Sequence, residues 1–356
     1  MTRIIAEAGV NHNGDEKLAF QLIDAAFEAG ADVVKFQTFK AANLASKEAK
    51  QARYQAENSG KEESQLEMLR RLELSFDIYP KLVAYCNNLG IEFLSTAFDD
   101  ESLSFLVKDL KLKTLKIPSG EITNAPFVLK HAKTGCNLIV STGMASLSEI
   151  EAALGVIAFG FTDDTNSPTT ESFQAAYLSV EGQNVLKQKV TLLHCTTEYP
   201  APMHDINLNA MSTMSAAFGL ATGYSDHSAG ITVPIAATAL GAVLIEKHFT
   251  LDKTMEGPDH KASLEPNELR QMVAAIRNVR DAMGDGIKGP RLSELKNKAV
   301  ARKSLVAADD IVAGEPFTVS NIAIKRPGNG ITPYLYWEFI GKTARRSYSE
   351  GELILE

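Results

Sequence analysis

Short apolar runs rich in β-branched residues recur along the chain. Each is followed by a stretch whose apolar positions return every three or four residues. The runs Ile4–Ala8, Asp32–Gln37, Ile91–Thr96, Thr114–Ile117, Asn137–Thr142, Val190–His194, Leu220–Ser225 and Ala242–His248 read as strands. They are continuous rather than alternating, as expected of strands buried on both faces. Asp15–Ala29 sets Leu18, Leu22, Ala25, Ala26 and Ala29 on one helical face, with Gly30 placed to cap the end. Eight strand–helix units within residues 1–284 predict a closed (β/α)8 TIM barrel, with a doubly wound open sheet as the structural alternative.

Two connections are too long for simple turns. Residues 38–64, rich in Ala, Lys, Glu and Gln, would overhang a barrel mouth as a lid or an extra surface helix. Residues 155–188 read as a surface insertion with a turn at 163–168 and no evident chemistry. After the last barrel helix, Pro266–Met283, residues 285–302 are expected to be a linker. Short strands and turns over 303–356 then predict a small β-rich domain, near the lower size for independent folding and expected to lean on the barrel or on a second subunit. The segment Gly284–Gly289 matches G-x-G-x-x-G as text. A helix precedes it and Pro290 follows, so the strand–turn–helix context of a nucleotide site is missing.

Composition narrows the function. The 356 residues are 45% hydrophobic and 22% charged, which excludes a disordered chain, and no apolar run approaches the ~18 residues of a membrane helix. The net charge of −8 argues against nucleic-acid or anionic-membrane partners. Cys86, Cys136 and Cys195 lack metal-type spacing, and Glu7 interrupts the N-terminal apolar stretch before a signal core forms. A reduced, cytoplasmic protein is expected.

Candidate chemistry collects at the C-terminal ends of the predicted strands, where barrel enzymes keep their sites. Glu7 closes the first, Lys35 and Gln37 share a face of the second, and Thr96 ends the third. Lys116 lies in the fourth and Ser141 ends the fifth. Ser225 and His227 share a face at the seventh, Glu246 and His248 at the eighth. Each alone fits a satisfied structural polar group, and the lysines fit internal ion pairs with Glu7 or Glu121. Together they point to an enzyme. Two lysines beside hydroxyls and the glycine-flanked amides at Ser119-Gly120-Glu121 and Ser141-Thr142-Gly143 suit a small phosphate or carboxylate substrate. A Schiff-base lysine is the rival reading. Strands lie ~4.8 Å apart, so His227 and His248 on neighbouring strands are placed to share a divalent metal with open positions. His12, His131, His194, His204 and His260 lack such pairing and read as bystanders.

The motifs Glu7-Ala8-Gly9-Val10-Asn11-His12-Asn13-Gly14, Lys35-Phe36-Gln37-Thr38, Lys116-Ile117-Pro118-Ser119-Gly120-Glu121 and Ser141-Thr142-Gly143-Met144 resemble the sialic acid synthase family. So do Glu198-Tyr199-Pro200, Ser225-Asp226-His227, Glu246-Lys247-His248-Phe249-Thr250, Gly257-Pro258-Asp259-His260 and Lys325-Arg326-Pro327-Gly328-Asn329-Gly330. The resemblance runs in order from residue 4 to the C-terminus. It implies a barrel followed by an antifreeze-like (SAF) domain, and condensation of phosphoenolpyruvate with an N-acetylated mannosamine-type sugar, releasing phosphate and leaving a nine-carbon 2-keto acid. It implies that His227 and His248 bind the metal, Mn²⁺ by preference with Mg²⁺ or Co²⁺ as alternatives. By the same resemblance Lys35, Thr96, Lys116, Ser119, Ser141 and Ser225 hold phosphoenolpyruvate, while Gln37, Tyr199 and Asp259 meet the sugar. Arg326 would reach the sugar from the partner subunit in a domain-swapped homodimer. Thr197 stands where some members carry Asn as a phosphoenolpyruvate contact; it offers one hydrogen bond but no amide.

For the chemistry, Glu121 is expected to transfer the proton and Glu7 to stabilise developing positive charge, with the roles exchangeable. The primary expectation is N-acetylneuraminate synthesis from N-acetylmannosamine. The nearest alternative is N,N'-diacetyllegionaminate synthesis from 2,4-diacetamido-2,4,6-trideoxymannose. A pyruvate aldolase or lyase acting through Lys35 or Lys116 is a second enzyme class. A non-catalytic sugar- or ice-binding protein would leave the strand-end lysines and histidines without use.

Overall fold

The structure is a computed structural model that describes residues 2–46, 48–52, 55–56, 63–162 and 166–355. Eight parallel strands close into a barrel in sequence order: β1 (Arg3–Gly9), β2 (Val33–Thr38), β3 (Glu92–Ala97), β4 (Thr114–Ile117), β5 (Asn137–Ser141), β6 (Val190–His194), β7 (Ala221–Asp226) and β8 (Leu244–His248). β1 pairs with both β2 and β8, so no edge is left open. The barrel expectation holds, and the open-sheet alternative falls. Around the barrel lie α1 (Glu16–Glu28), α2 (Ala41–Leu44), α3 (Gln65–Leu72), α4 (Tyr79–Leu89), α5 (Asp100–Ser104), α6 (Ala125–Lys133), α7 (Leu147–Thr162), α8 (Thr170–Leu178), α9 (Val180–Lys189), α10 (Asn209–Phe218), α11 (Thr232–Ala239) and α12 (Pro266–Met283). Among the described residues no helix is long and apolar enough to cross a membrane.

Local chemistry explains the boundaries. The Asp15 carboxylate accepts from the Lys17 and Leu18 amides and starts α1, which buries Ala19, Leu22, Ile23 and Ala26. Residues 155–188, expected as a surface insertion, complete α7 and add α8 and α9. Thr169 and Ser179 cap the two added helices, and a Cβ on Gly182 would lie 1.9 Å from the Ala176 carbonyl oxygen, so the first turn of α9 requires glycine there. Residues 163–165 of the predicted turn lie outside the described residues. So does part of the predicted lid, whose described portion contributes α2 and a bridge between Lys50 and Ser64.

Side chains of each strand alternate between barrel interior and helix layer. Outward residues such as Ile4, Ala6, Val34 and Phe36 join the large cores shared with the helices. Inside, Ile5, Val33, Leu94, Ile139, Leu193 and Leu244 form an apolar plug, each side chain contributing about 2 kcal/mol by burial. Two residues further along the same strands come Glu7, Lys35, Thr96, Ser141, Cys195 and Glu246. Lys116 on β4 and Ser225 on β7 extend this second layer, and all eight are buried. A polar ring therefore sits on an apolar floor.

Residues Asp285–Glu356 form a second compact unit. It holds α13 (Leu292–Ala301), an antiparallel pair of β9 (Ser304–Ala307) and β10 (Ile322–Lys325), and α14 (Tyr336–Phe339). Leu305, Ala307, Ile311, Phe317, Ile322, Phe339, Ala344, Tyr348 and Ile354 make its core. The expected linker is thus partly helical: Glu294 accepts from the Arg291 amide and starts α13, which buries no side chain of its own.

Candidate active site

The polar ring is an electrostatic network. Lys35 Nζ lies 2.8 Å from Glu7 and 3.6 Å from Glu246, and donates to Thr96 Oγ1 at 3.1 Å. Lys116 Nζ donates to Glu246 Oε1 at 3.1 Å, which also accepts from Ser225 Oγ at 3.0 Å. Gln37 Nε2 donates to Glu7 at 3.3 Å. Burial pushes the Glu7 carboxyl up to about 7, against the pull of Lys35. Burial acts the same way on Glu246, but Lys116 and Lys35 outweigh it and hold that carboxyl well below the usual range. For Lys35, the two carboxylates overcome desolvation and raise the ammonium above its ordinary value. Its ammonium is thus engaged by two carboxylates and the Thr96 hydroxyl, as a group placed to bind an anion beside them would be.

Next to the lysines is a cradle of unspent hydroxyls. Ser141 Oγ and Thr197 Oγ1 are buried with no hydrogen-bond partner among the described residues, an arrangement that costs stability unless a ligand answers it. Ser119 Oγ accepts from the Gly143 amide at 3.0 Å and lies 3.1 Å from Cys195 Sγ. A Cβ on Gly143 would sit 2.3 Å from Thr197 Oγ1 and 2.8 Å from Ser119 Oγ, so only glycine lets the two hydroxyls converge.

The imidazoles of His227 and His248 lie with ring centroids 5.7 Å apart. The Thr196 carbonyl oxygen, 2.6 Å from His227 Nδ1, can only accept, so Nδ1 carries the proton and Nε2 keeps its lone pair. Tyr199 OH lies 3.1 Å from that Nε2. His248 Nδ1 is buried without a hydrogen-bond partner among the described residues and lies 3.8 Å from Asp259 Oδ2. Desolvation lowers His227 to about 4 and His248 well below its ordinary value, and raises Asp259 to about 6. Two neutral imidazoles, His248 with an unpaired Nδ1 and His227 with an Nε2 that only Tyr199 OH meets, fit a divalent cation that would take those lone pairs. No cluster of three or more His, Cys, Asp or Glu suited to a metal occurs among the described residues, so such an ion would keep positions for non-protein ligands.

On the reverse face of β7 and β8, Asp226 and Lys247 face each other in register. Lys247 Nζ lies 2.6 Å from the Asp226 carboxylate and also donates to the Ser228 carbonyl. Both side chains are fully buried, and they tie together the strand ends that carry the two imidazoles.

Of the candidates read from the sequence, all but Glu121 and Arg326 line one cavity of about 230 Å³. Glu121 ends a 3₁₀ turn and accepts from Asn124 Nδ2 at 2.7 Å, while Ser119 and Gly120 beside it line the cavity. Arg326 is exposed in the second unit, where its Nε donates to the Ala301 carbonyl. Glu246, read at a strand end but given no role, also lines this cavity. The signal was present: period-2 alternation puts it on the face of His248 and toward the lysines.

An acidic (β/α)8 enzyme with a lysine–hydroxyl anion cradle beside two metal-competent histidines is the class that fold and site define. Comparison with known proteins agrees: the NeuB family model matches residues 22–288 and the SAF domain model residues 302–356. The chain belongs to the NeuB family, the sialic acid synthases that its motifs resemble. It is 51% identical over 355 residues to the N,N'-diacetyllegionaminic acid synthase of Campylobacter jejuni, covering 100% of this chain and 99% of that one. Its identity to the protein of that name from Legionella pneumophila is 44% over 352 residues, covering 99% and 93%. The crystal structure of N-acetylneuraminic acid synthetase from Leptospira borgpetersenii is 32% identical and superposes with a TM-score of 0.66, covering 83% of this chain and 90% of that one.

Proposed function

We propose that this protein is an N,N'-diacetyllegionaminic acid synthase, condensing phosphoenolpyruvate with 2,4-diacetamido-2,4,6-trideoxymannose and water to release phosphate. The observation that carries the choice of sugar is the gap between 51% and 44% identity to two diacetyllegionaminic acid synthases and 32% to an N-acetylneuraminic acid synthetase. That gap replaces N-acetylmannosamine, the primary expectation, with the alternative sugar.

The residues support the chemistry as follows. Lys35 and Lys116 would take the anionic groups of phosphoenolpyruvate, and the unspent Ser141 and Thr197 hydroxyls would complete the cradle with Ser119. As C3 of phosphoenolpyruvate bonds to the sugar aldehyde carbon, positive charge develops at C2, within reach of the carboxylates of the ring. Water adds at C2, and the C2–O bond to phosphate then breaks. Glu7, at about 7, is poised to take the proton from that water, the role expected of Glu121. His227 and His248 would hold a divalent cation, Mn²⁺ by preference, which when bound supplies Lewis-acid polarisation of the aldehyde oxygen. In the same reading Arg326 approaches the sugar from the second unit of a partner copy in a swapped homodimer. Phosphate release measured with each sugar, with and without Mn²⁺, tests the proposal. Preference for N-acetylmannosamine overturns it.

A further inference from the structure

Phosphoenolpyruvate, water and a cation account for the charged side of the cavity but not for the rest of its wall. Beside the polar Gln37, Tyr199 and Asp259, that remainder holds a continuous apolar stretch of Val10, Met68, Leu69, Leu72 and Phe98, with Gln55 near it. Val10, Met68 and Leu72 are buried and pack with Phe39 into a small cluster separate from the barrel cores, with Leu69 and Phe98 against its edge. Three of the five come from α3.

α3 is held in place at both ends. Ser64 and Glu67 form a capping box at its start. At its end, Glu73 accepts from the Ala41 amide at 2.8 Å and pairs with Lys40 at 3.2 Å. Gly14, with φ of +76°, lies so near the Arg71 carbonyl that a Cβ there would be 2.5 Å from its oxygen. The wall is therefore a docked surface with a fixed shape.

We infer that the α3 face bearing Met68, Leu69 and Leu72, with Val10 and Phe98, is the subsite that selects the sugar by its methyl groups. The inference rests on the proposed function and names the residues that decide it. The diacetamido-trideoxy sugar carries a C6 methyl and two acetamido methyls; N-acetylmannosamine carries a C6 hydroxymethyl and one acetamido group. A methyl on this wall leaves water at no polar cost, whereas a hydroxyl against Met68, Leu69 and Leu72 loses its water partners and gains none from those side chains. An apolar pocket discriminates against an added hydroxyl by about 10²-fold.

The test is the ratio of kcat/KM for the two sugars at saturating phosphoenolpyruvate and Mn²⁺. The ratio is internal to each variant, so partial loss of folded enzyme cancels. The wild type should prefer the diacetamido sugar by about 10²-fold. Leu69→Asn and Met68→Gln should each cut the ratio at least tenfold, leaving the phosphoenolpyruvate KM unchanged, while Leu69→Ala, still apolar, keeps it within about threefold. A wild type preferring N-acetylmannosamine overturns the proposed function and this inference with it. A wild type with the expected preference, whose ratio is unmoved in both polar variants, overturns the wall alone.

Discussion

Glu246→Gln is the sharpest probe of the ring. Glu246 meets Lys116 at 3.1 Å, Lys35 at 3.6 Å and Ser225 at 3.0 Å, all buried. Lys35 keeps Glu7 at 2.8 Å after the change, whereas Lys116 loses the carboxylate that neutralises it. Breaking a buried pair by removing one partner costs about 3–5 kcal/mol, because a charge is left in a dry site. At about 2 °C per kcal/mol for a unit of this size, the barrel transition should fall by roughly 6–10 °C in thermal unfolding of the full chain. Because the two ammonium groups now outnumber their counter-charges, added phosphate should recover more stability in the variant than in the wild type. A melting point within about 2 °C of wild type, with no larger phosphate effect, would refute the view that the lysines are balanced by Glu246 and await an anion.

Three further outcomes are expected. His227→Ala should abolish Mn²⁺ binding seen by electron paramagnetic resonance, together with turnover, while circular dichroism stays unchanged; wild-type turnover that survives EDTA would refute the metal role. His131 is buried in α6 and its imidazole is lowered to about 4 by desolvation, so unfolding takes up a proton between there and its ordinary value near 6.5. Stability from this group is full above pH 6.5 and lost as pH falls toward 4, about 2 kcal/mol of it by pH 5.0; His131→Leu should flatten urea-melt stability between pH 7.5 and 5.0 by that amount, and an unchanged slope would count against it. Arg326→Ala should raise the sugar KM with dimer mass intact, and an unchanged KM would remove the cross-subunit contact.

The barrel was legible because parallel strands buried on both faces leave continuous apolar runs, and the observed strands begin and end within two residues of them. The ring was legible because Glu7, Lys35 and Lys116 are costly residues in otherwise apolar segments. The direction of Glu121 was not legible, because adjacency to Ser119-Gly120 does not fix it: one 3₁₀ turn carries its carboxylate to Asn124. Glu246 was visible on the right face but was read only as a neighbour of His248, since strand order alone does not measure its reach to Lys35 and Lys116. The α3 wall was hidden because Met68, Leu69 and Leu72 have the spacing of any amphipathic helix, and only tertiary placement shows what they cover. The α8–α9 pair was missed although Thr169 and Ser179 are good cap residues.

The reactive groups are drawn from many different strands, each sharing neighbours with the next, so an exchange at any of them disturbs several at once. Most of the greasy panel beside them belongs to one short helix following a single strand. A lineage can therefore change its diet by editing that helix and leave its engine untouched.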